Sequence, residues 1–469
     1  MTDLMDLTAT ELLGLYAERA LSPVESMAAL VAHVERWEPH IGALYAADWD
    51  AATRAAALSE VRWSRGEPQG PLDGIPVTLK ELIATAGVSV PRGTAATRLV
   101  PAREDAPPAA RLREDGAIIV AKTTCPDLGM LSSGVSSFHP TTRNPWDLAC
   151  NPGGSSSGAA AAAAARYGPL HIGTDIGGSV RLPAAWSGVF GFKPSHGRVP
   201  IDPYYVGRVA GPMTRTVADA ALAMRSLSRP DRRDATSLPP SDLPWLDLAI
   251  ELRGLKLGLM LDAGCGLPLD PEIRQSVTAA ARTFEAAGAL IEPVGPVLSR
   301  AMLDGLDRFW RARAWSEVSE LDPASRQKLL PYIRRWAEGG AEVSGVEAVR
   351  GHDRLFELRG SCASAFDAVD AILCPVTPVV CFPAEWASPL DDPDRPFEHI
   401  AYTVPWNMGE QPAASIPSGF ATNGMPIGLQ IVGPRFADLL VLRLSHVYDG
   451  LRGPLGRWPN PPAPMQRSP

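Results

Sequence analysis

The sequence predicts an α/β protein built on a large, twisted, mixed β-sheet covered by helices on both faces. Two observations carry this. Between about residues 72 and 224, short apolar runs alternate with helical stretches, and apolar strands separated by helices must be covered on both sides. Further apolar runs of strand length recur at 255–260, 289–294, 371–375 and 427–432.

The elements follow in order. Thr8-Ala-Thr-Glu11 and Ser22-Pro-Val-Glu25 are capping boxes, the second with proline at the first helical position, so the first forty residues read as two helices. Met27, Leu30, Val31 and Val34 recur at helical spacing and give the second helix a packing face. Residues 75–79, 117–121 and 170–174 read as strands, 111–116 as the end of a helix, and 156–165 as an alanine helix. Residues 228–245, rich in Pro, Ser and Asp, read as a surface connection. Trp-bearing helices fill 299–336, the acidic stretch 391–396 is a loop, and a helix over 437–448 follows the last strand. The Pro-rich tail from Leu451 is expected to be loosely ordered. We expect one domain: N-terminal helices over 1–65, a core over 70–225, a variable region over 246–390, and a C-terminal part of the core over 400–450.

Composition narrows the function classes. Of 469 residues 45% are hydrophobic, which suits a chain with a substantial core. A net charge of −8 without a long basic run argues against nucleic-acid binding. The N-terminus carries acids where a signal peptide needs a basic segment, and no 18-residue apolar run occurs, so the expectation is a cytoplasmic protein without membrane attachment. Six cysteines lack a CxxC pair and read as ordinary buried thiols; eight histidines show no HExxH, so neither a metal nor a cofactor is expected. Of the 44 basic residues only five are lysines: Lys80, Lys122, Lys193, Lys256 and Lys328. Arginine does not give up its proton in proteins, whereas a buried lysine does. A lysine kept beside a reactive-looking loop is therefore a candidate base.

Three segments carry that chemistry. In GTDIGGSVR (173–181), glycines let consecutive N–H groups point one way ahead of Ser179. Such a nest can hold the oxygen of a tetrahedral intermediate; alternatively, the segment is a tight buried turn with a capping serine. In NPGGSSSG (151–158), a glycine turn feeds a helix of small residues, either an N-cap before a buried alanine helix or a backbone-lined polar site. The same stretch spells GxSxG around Ser156, the nucleophile elbow of esterases, which needs a partner such as His196, His352, His399 or His446. Lys80 ends the strand-like run 75–79; an alternating strand would deliver its amine to the sheet edge, and the alternative is a solvated lysine before a loop. A free lysine is a poor base at neutral pH, and burial would improve it.

In this order and spacing the three segments resemble the amidase signature family. The match includes LDGIPVTLKE (72–81), TTRNPWD (141–147), the stretch from Asn151 through FGFKPSHGRVP to GPMTRTVADAA (211–221), ILCPVTP (372–378) and SIPSGFATNGMPIGLQIVGPRF (415–436). It covers most of the chain and is weakest over about 230–365. The resemblance implies the amidase signature fold, no cofactor, and hydrolysis of a carbon–nitrogen bond through an acyl-enzyme. It also implies a Ser–cis-Ser–Lys triad of Ser179 as nucleophile, Ser155 as the bridging serine after a cis peptide, and Lys80 as base. The backbone amides of Ile176, Gly177, Gly178 and Ser179 match the oxyanion hole. Ser156, Thr174, Asp175 and Arg181 fit supporting positions. Met130, Tyr204, Tyr205 and Trp406 are placed around the substrate pocket. Phe309, Trp310, Trp315, Tyr332 and Trp336 read either as helix packing or as pocket wall.

The chain departs from the family pattern at Ser157 and Glu410, where glycine is usual, and at Glu81, where aspartate is commoner. A small aryl or alkyl amide or a carbamate is the expected substrate, and a homodimer is the family-level expectation. The alternatives are the glutaminase component of a tRNA-dependent amidotransferase, which works with partner proteins, and a GxSxG esterase. Against the first, no RYDG-like segment occurs in the 300–345 region.

Overall fold

The computed structural model describes residues 3–456 and 458–462. Both expected N-terminal helices form, Ala9–Glu18 and Pro23–Ile41. Each is closed by its capping box, with Thr8 and Ser22 accepting from the backbone of Glu11 and Glu25. A third helix, Trp49–Arg65, starts from an Asp48 cap.

Eleven strands make one mixed sheet. In chain order they are β1 (Leu44–Tyr45), β2 (Pro76–Lys80), β3 (Ile118–Thr123), β4 (Leu170–Asp175), β5 (Phe190–Lys193), β6 (Val209–Thr214), β7 (Lys256–Leu259), β8 (Leu290–Pro293), β9 (Ala371–Pro375), β10 (Ala413–Phe420) and β11 (Pro426–Val432). They lie side by side as β1-β3-β2-β4-β6-β5-β10-β11-β9-β7-β8. β3, β2 and β4 run parallel at one end and β9, β7 and β8 at the other, with antiparallel pairings between. Every residue of β2 is buried, so it does not alternate between core and solvent as the sequence suggested. Lys80, its last residue, is enclosed, not presented at an edge.

Helices cover both faces. On one, Pro107–Glu114, Val217–Leu227, Pro271–Ala286 and Asp438–Arg452 contribute Leu112, Met224, Phe284 and Leu442 to a core shared with Val77, Leu79 and Ile172. On the other, Arg300–Val318, Pro331–Glu338 and Gly345–Ser364 form a second core around Trp310, Trp336 and Leu358. The alanine helix Ser157–Ala164 is wholly buried and packs on β2, β3, β4 and β6. Its small side chains allow this. A Cβ at Gly158 would sit 2.3 Å from the Ala43 carbonyl oxygen and 2.5 Å from the Thr124 nitrogen. Gly158→Ala is therefore expected to destabilise the protein by about 2–3 kcal/mol, read as a lowered denaturation midpoint.

The 228–245 connection has no regular structure, as expected, and it is anchored by Trp245, which is buried and donates its indole N–H to Ser228 Oγ at 3.0 Å. Two other expectations are corrected. The tail from Leu451 begins inside the last helix, and Trp458 packs 6.4 Å from the Trp146 ring; residues 463–469 lie outside the described residues. All six cysteines are free thiols, yet Cys150, Cys265 and Cys381 are only partly buried. Among the described residues no helix is long and apolar enough to cross a membrane.

Candidate active site

β2 and β4, adjacent and parallel, end side by side, and their C-terminal ends carry the predicted chemistry. Lys80 closes β2, Asp175 closes β4, and the glycine turn of the first loop follows between them in space. The Lys80 ammonium nitrogen donates to Ser155 Oγ at 2.7 Å and to Ser156 Oγ at 3.2 Å. Burial, helped by the nearby Arg208 charge and opposed by Cys125, Asp175 and Glu81, lowers its pKa to about 8.

The Gly154–Ser155 peptide is cis. Asn151 shapes the turn before it: its Oδ1 accepts from the Gly153 and Gly134 amides at 2.9 and 3.0 Å, and its Nδ2 donates to Ser133 Oγ at 2.8 Å. Ser156 Oγ ties this loop to β4 by accepting from the Thr174 amide at 3.2 Å and donating to the Thr174 carbonyl at 3.1 Å. The Ser156 amide in turn donates to the Ser179 carbonyl at 3.2 Å. Both serine loops are thus stitched to one strand.

The second loop is organised by Asp175. Its carboxylate accepts from the Gly178 amide at 2.7 Å and the Val180 amide at 3.0 Å, and pairs with the Arg181 guanidinium at 3.1 Å. Burial alone would raise this carboxyl, but Arg181 outweighs it and holds Asp175 well below the usual carboxylate range. Arg181 is itself fully buried and also reaches Gln430 Oε1 at 2.6 Å and Asn407 Oδ1 at 2.5 Å. Gly178 has φ +126°, and a Cβ there would meet Thr403 Oγ1 at 2.5 Å. Of the four amides expected at the oxyanion hole, that of Gly178 is thus engaged by Asp175 in this structure. Those of Ile176, Gly177 and Ser179 meet no backbone or side-chain acceptor among the described residues.

Ser179 and Ser155 open into a cavity of about 850 Å³, together with Thr174, Asp175, Ile176 and Gly177. Leu128, Met130, Trp310, Trp336, Phe397 and Ile400 give it an apolar wall. Of the pocket residues placed from sequence, Met130 lines it. Tyr204 does not: it is 45% exposed outside the cavity. Tyr205 is covered by the Arg313 guanidinium, 3.8 Å above its ring. Trp406 does not line it either: it is fully buried in the core against Phe366. Of the ambiguous aromatics, Trp310, Tyr332 and Trp336 line the cavity, whereas Phe309 packs on His352 and Trp315 under Arg326.

The three departures have local causes. Glu410 adopts φ +70°, the region that usually demands glycine, and its carboxylate is held by Arg359 at 2.9 Å and Arg435 at 2.6 Å. Glu81 reaches the Gly93 amide at 2.7 Å and pairs with His139. Ser157 opens the alanine helix, its hydroxyl 3.4 Å from the Thr124 carbonyl. No histidine among the described residues hydrogen-bonds to Ser156 or Ser179; His399 reaches the cavity wall, but burial lowers its pKa to about 3 and no carboxylate pairs with it. The esterase reading therefore lacks its base.

A buried lysine, two strand-anchored serines and free backbone amides around one cavity are the equipment of a serine hydrolase that works without histidine or metal. The Amidase family model matches residues 25–442, and the chain belongs to this family, the amidase signature amide hydrolases. The A-subunit of the glutamyl-tRNA(Gln) amidotransferase of Myxococcus xanthus is 33% identical over 95% of this chain and 97% of its own length. Among solved structures, a bacterial aryl acylamidase aligns with a TM-score of 0.86 at 30% identity, over 95% of this chain and 96% of its own. A 6-aminohexanoate cyclic dimer hydrolase in complex with substrate gives a TM-score of 0.88 at 25% identity, over 98% and 99%.

Proposed function

We propose that the protein hydrolyses a small aryl or alkyl amide, or a carbamate, through an acyl-enzyme on Ser179. The apolar, aromatic wall of Trp310, Trp336, Phe397 and Ile400 beside Ser179 carries this reading, because it suits an apolar group flanking the reacting carbonyl. Ser179 Oγ attacks that carbonyl while its proton passes through Ser155 to neutral Lys80. The Lys80–Ser155 leg of the path is in place at 2.7 Å. The Ser179–Ser155 leg closes when substrate is bound, since catalytic contacts commonly tighten in the complex. The oxyanion is received by the amides of Ile176, Gly177 and Ser179. The proton then returns along the same path to the leaving amine, and water repeats the sequence on the acyl-enzyme.

Since only uncharged Lys80 accepts the proton, kcat/KM should rise with pH and level off above an inflection near 8. A flat profile between pH 6 and 9 would exclude Lys80 as base. A second reading, the glutaminase component of an amidotransferase, is favoured by the curated relatives. Assaying anilides, primary amides and aryl carbamates, with glutamine alongside, separates the two. The purified chain is expected to cleave anilides or carbamates unaided, and Lys80→Ala to abolish this. Ammonia released from glutamine only when partner proteins are added would overturn the stand-alone reading.

A further inference from the structure

The cavity has a second wall of different chemistry. Besides the aromatic residues it is lined by four arginines, Arg92, Arg98, Arg208 and Arg313, and by Glu317, Glu320 and Asp322. Glu317 is already engaged, 2.6 Å from Arg92 and 3.5 Å from Arg313. Arg313 is further fixed by stacking on Tyr205. Arg208 is different. Its one side-chain hydrogen bond among the described residues runs from Nη1 to the Pro203 carbonyl at 3.0 Å, and no described carboxylate lies within salt-bridge distance of it. A guanidinium carries five donors in a planar fork, so most of this fork is unused. Burial and the like charges of Arg313 and Arg92 lower the Arg208 pKa to about 10, against the opposing influence of Asp202 and Glu317. Arg208 is half-buried at the cavity wall, and its planar fork fits a carboxylate in bidentate fashion.

We propose that Arg208 receives a carboxylate of the substrate, so that the preferred substrates are amides bearing an anionic group on either the acyl or the amine side of the scissile bond. This rests on the reading that the cavity beside Ser179 is the amide-cleaving site. The aromatic wall then takes the apolar part of the molecule, and Arg208 fixes which end of it faces the serine.

Two matched pairs test this and separate the sides. N-phenylsuccinamate against N-phenylbutanamide places the carboxylate on the acyl group; para-acetamidobenzoate against para-methylacetanilide places it on the amine. In at least one pair the acid should be preferred by about tenfold or more in kcat/KM, mainly through KM, as expected for a charge-assisted bidentate contact. Raising ionic strength should erode that preference in the unaltered enzyme. In Arg208→Gln the acid-to-neutral ratio should fall to about one, with Arg208→Lys between the two because it keeps charge but not the fork. Equal kcat/KM within both pairs, or an unchanged ratio in Arg208→Gln, overturns the proposal. If none of the four anilides is cleaved, the amide-hydrolysis reading fails by itself. Calorimetric binding of the same compounds to Ser179→Ala then decides: tighter binding of an acid upholds the role of Arg208, and equal binding ends it.

Discussion

Replacing Ser179 by alanine should leave a folded protein whose turnover falls by about four to six orders of magnitude, because the relay loses the atom that attacks. Circular dichroism and the denaturation midpoint should stay unchanged, since the Ser179 hydroxyl makes no hydrogen bond among the described residues and faces the cavity. Ser156→Ala should behave otherwise. That hydroxyl joins Lys80 to β4, so its loss loosens the base and reduces turnover without abolishing it. Rates from a single-turnover assay separate these outcomes. Equal losses in the two variants, or a comparable loss on replacing His399, would return the elbow reading to contention.

The largest stability effect is expected at Arg181. Arg181→Met removes the counter-ion of a fully buried Asp175 and leaves Asn407 Oδ1 and Gln430 Oε1 without the donor they share, at a cost of about 3–5 kcal/mol. A pH series distinguishes this from simple loss of packing. In the unaltered protein the folded-state pKa of Asp175 is depressed, so its contribution is present above the ordinary carboxylate pKa and lost as pH falls below it. Without Arg181, burial raises that pKa instead, so the deficit should shrink as the medium is acidified towards pH 5. Adding Asp175→Asn should restore part of the stability by removing the stranded charge. A deficit independent of pH and unaffected by the second change would mean that Arg181 acts only as filler.

What the sequence made legible follows from where side chains had to go. The runs at 75–79, 170–174 and 371–375 are mostly apolar because their strands are buried on both faces, and they read as strands for that reason. β5, β6 and β10 escape such a reading: β5 has only four residues, β6 sets Gly211 beside Pro212 with Gly211 against the Phe192 carbonyl, and β10 is irregular between Pro417 and Gly419. Lys80, Ser155 and Ser179 are legible because each sits at a strand end or glycine turn with its own local signature. Arg208 has no such signal. In a chain that uses arginine for nearly every positive charge, one more arginine is invisible until the fold shows it lining the same cavity as Ser179 without a carboxylate of its own. Likewise Phe397 and Ile400 come from a loop far along the chain, and only the tertiary packing brings them opposite the serines.

The uneven placement of the five lysines also equips the protein with a reporter of its own opening. Lys256 and Lys328 stand in solvent, whereas Lys80, Lys122 and Lys193 are covered. An amine-directed reagent applied briefly to the native protein should mark the first two and spare the other three. Peptide mapping after graded heating would then show, lysine by lysine, which strand end lets water in first. Lys80 and Lys122 lie on neighbouring strands with Leu79 opposite Lys122, while Lys193 sits beyond β4 and β6. The order in which they acquire label would therefore trace the direction in which the sheet comes apart.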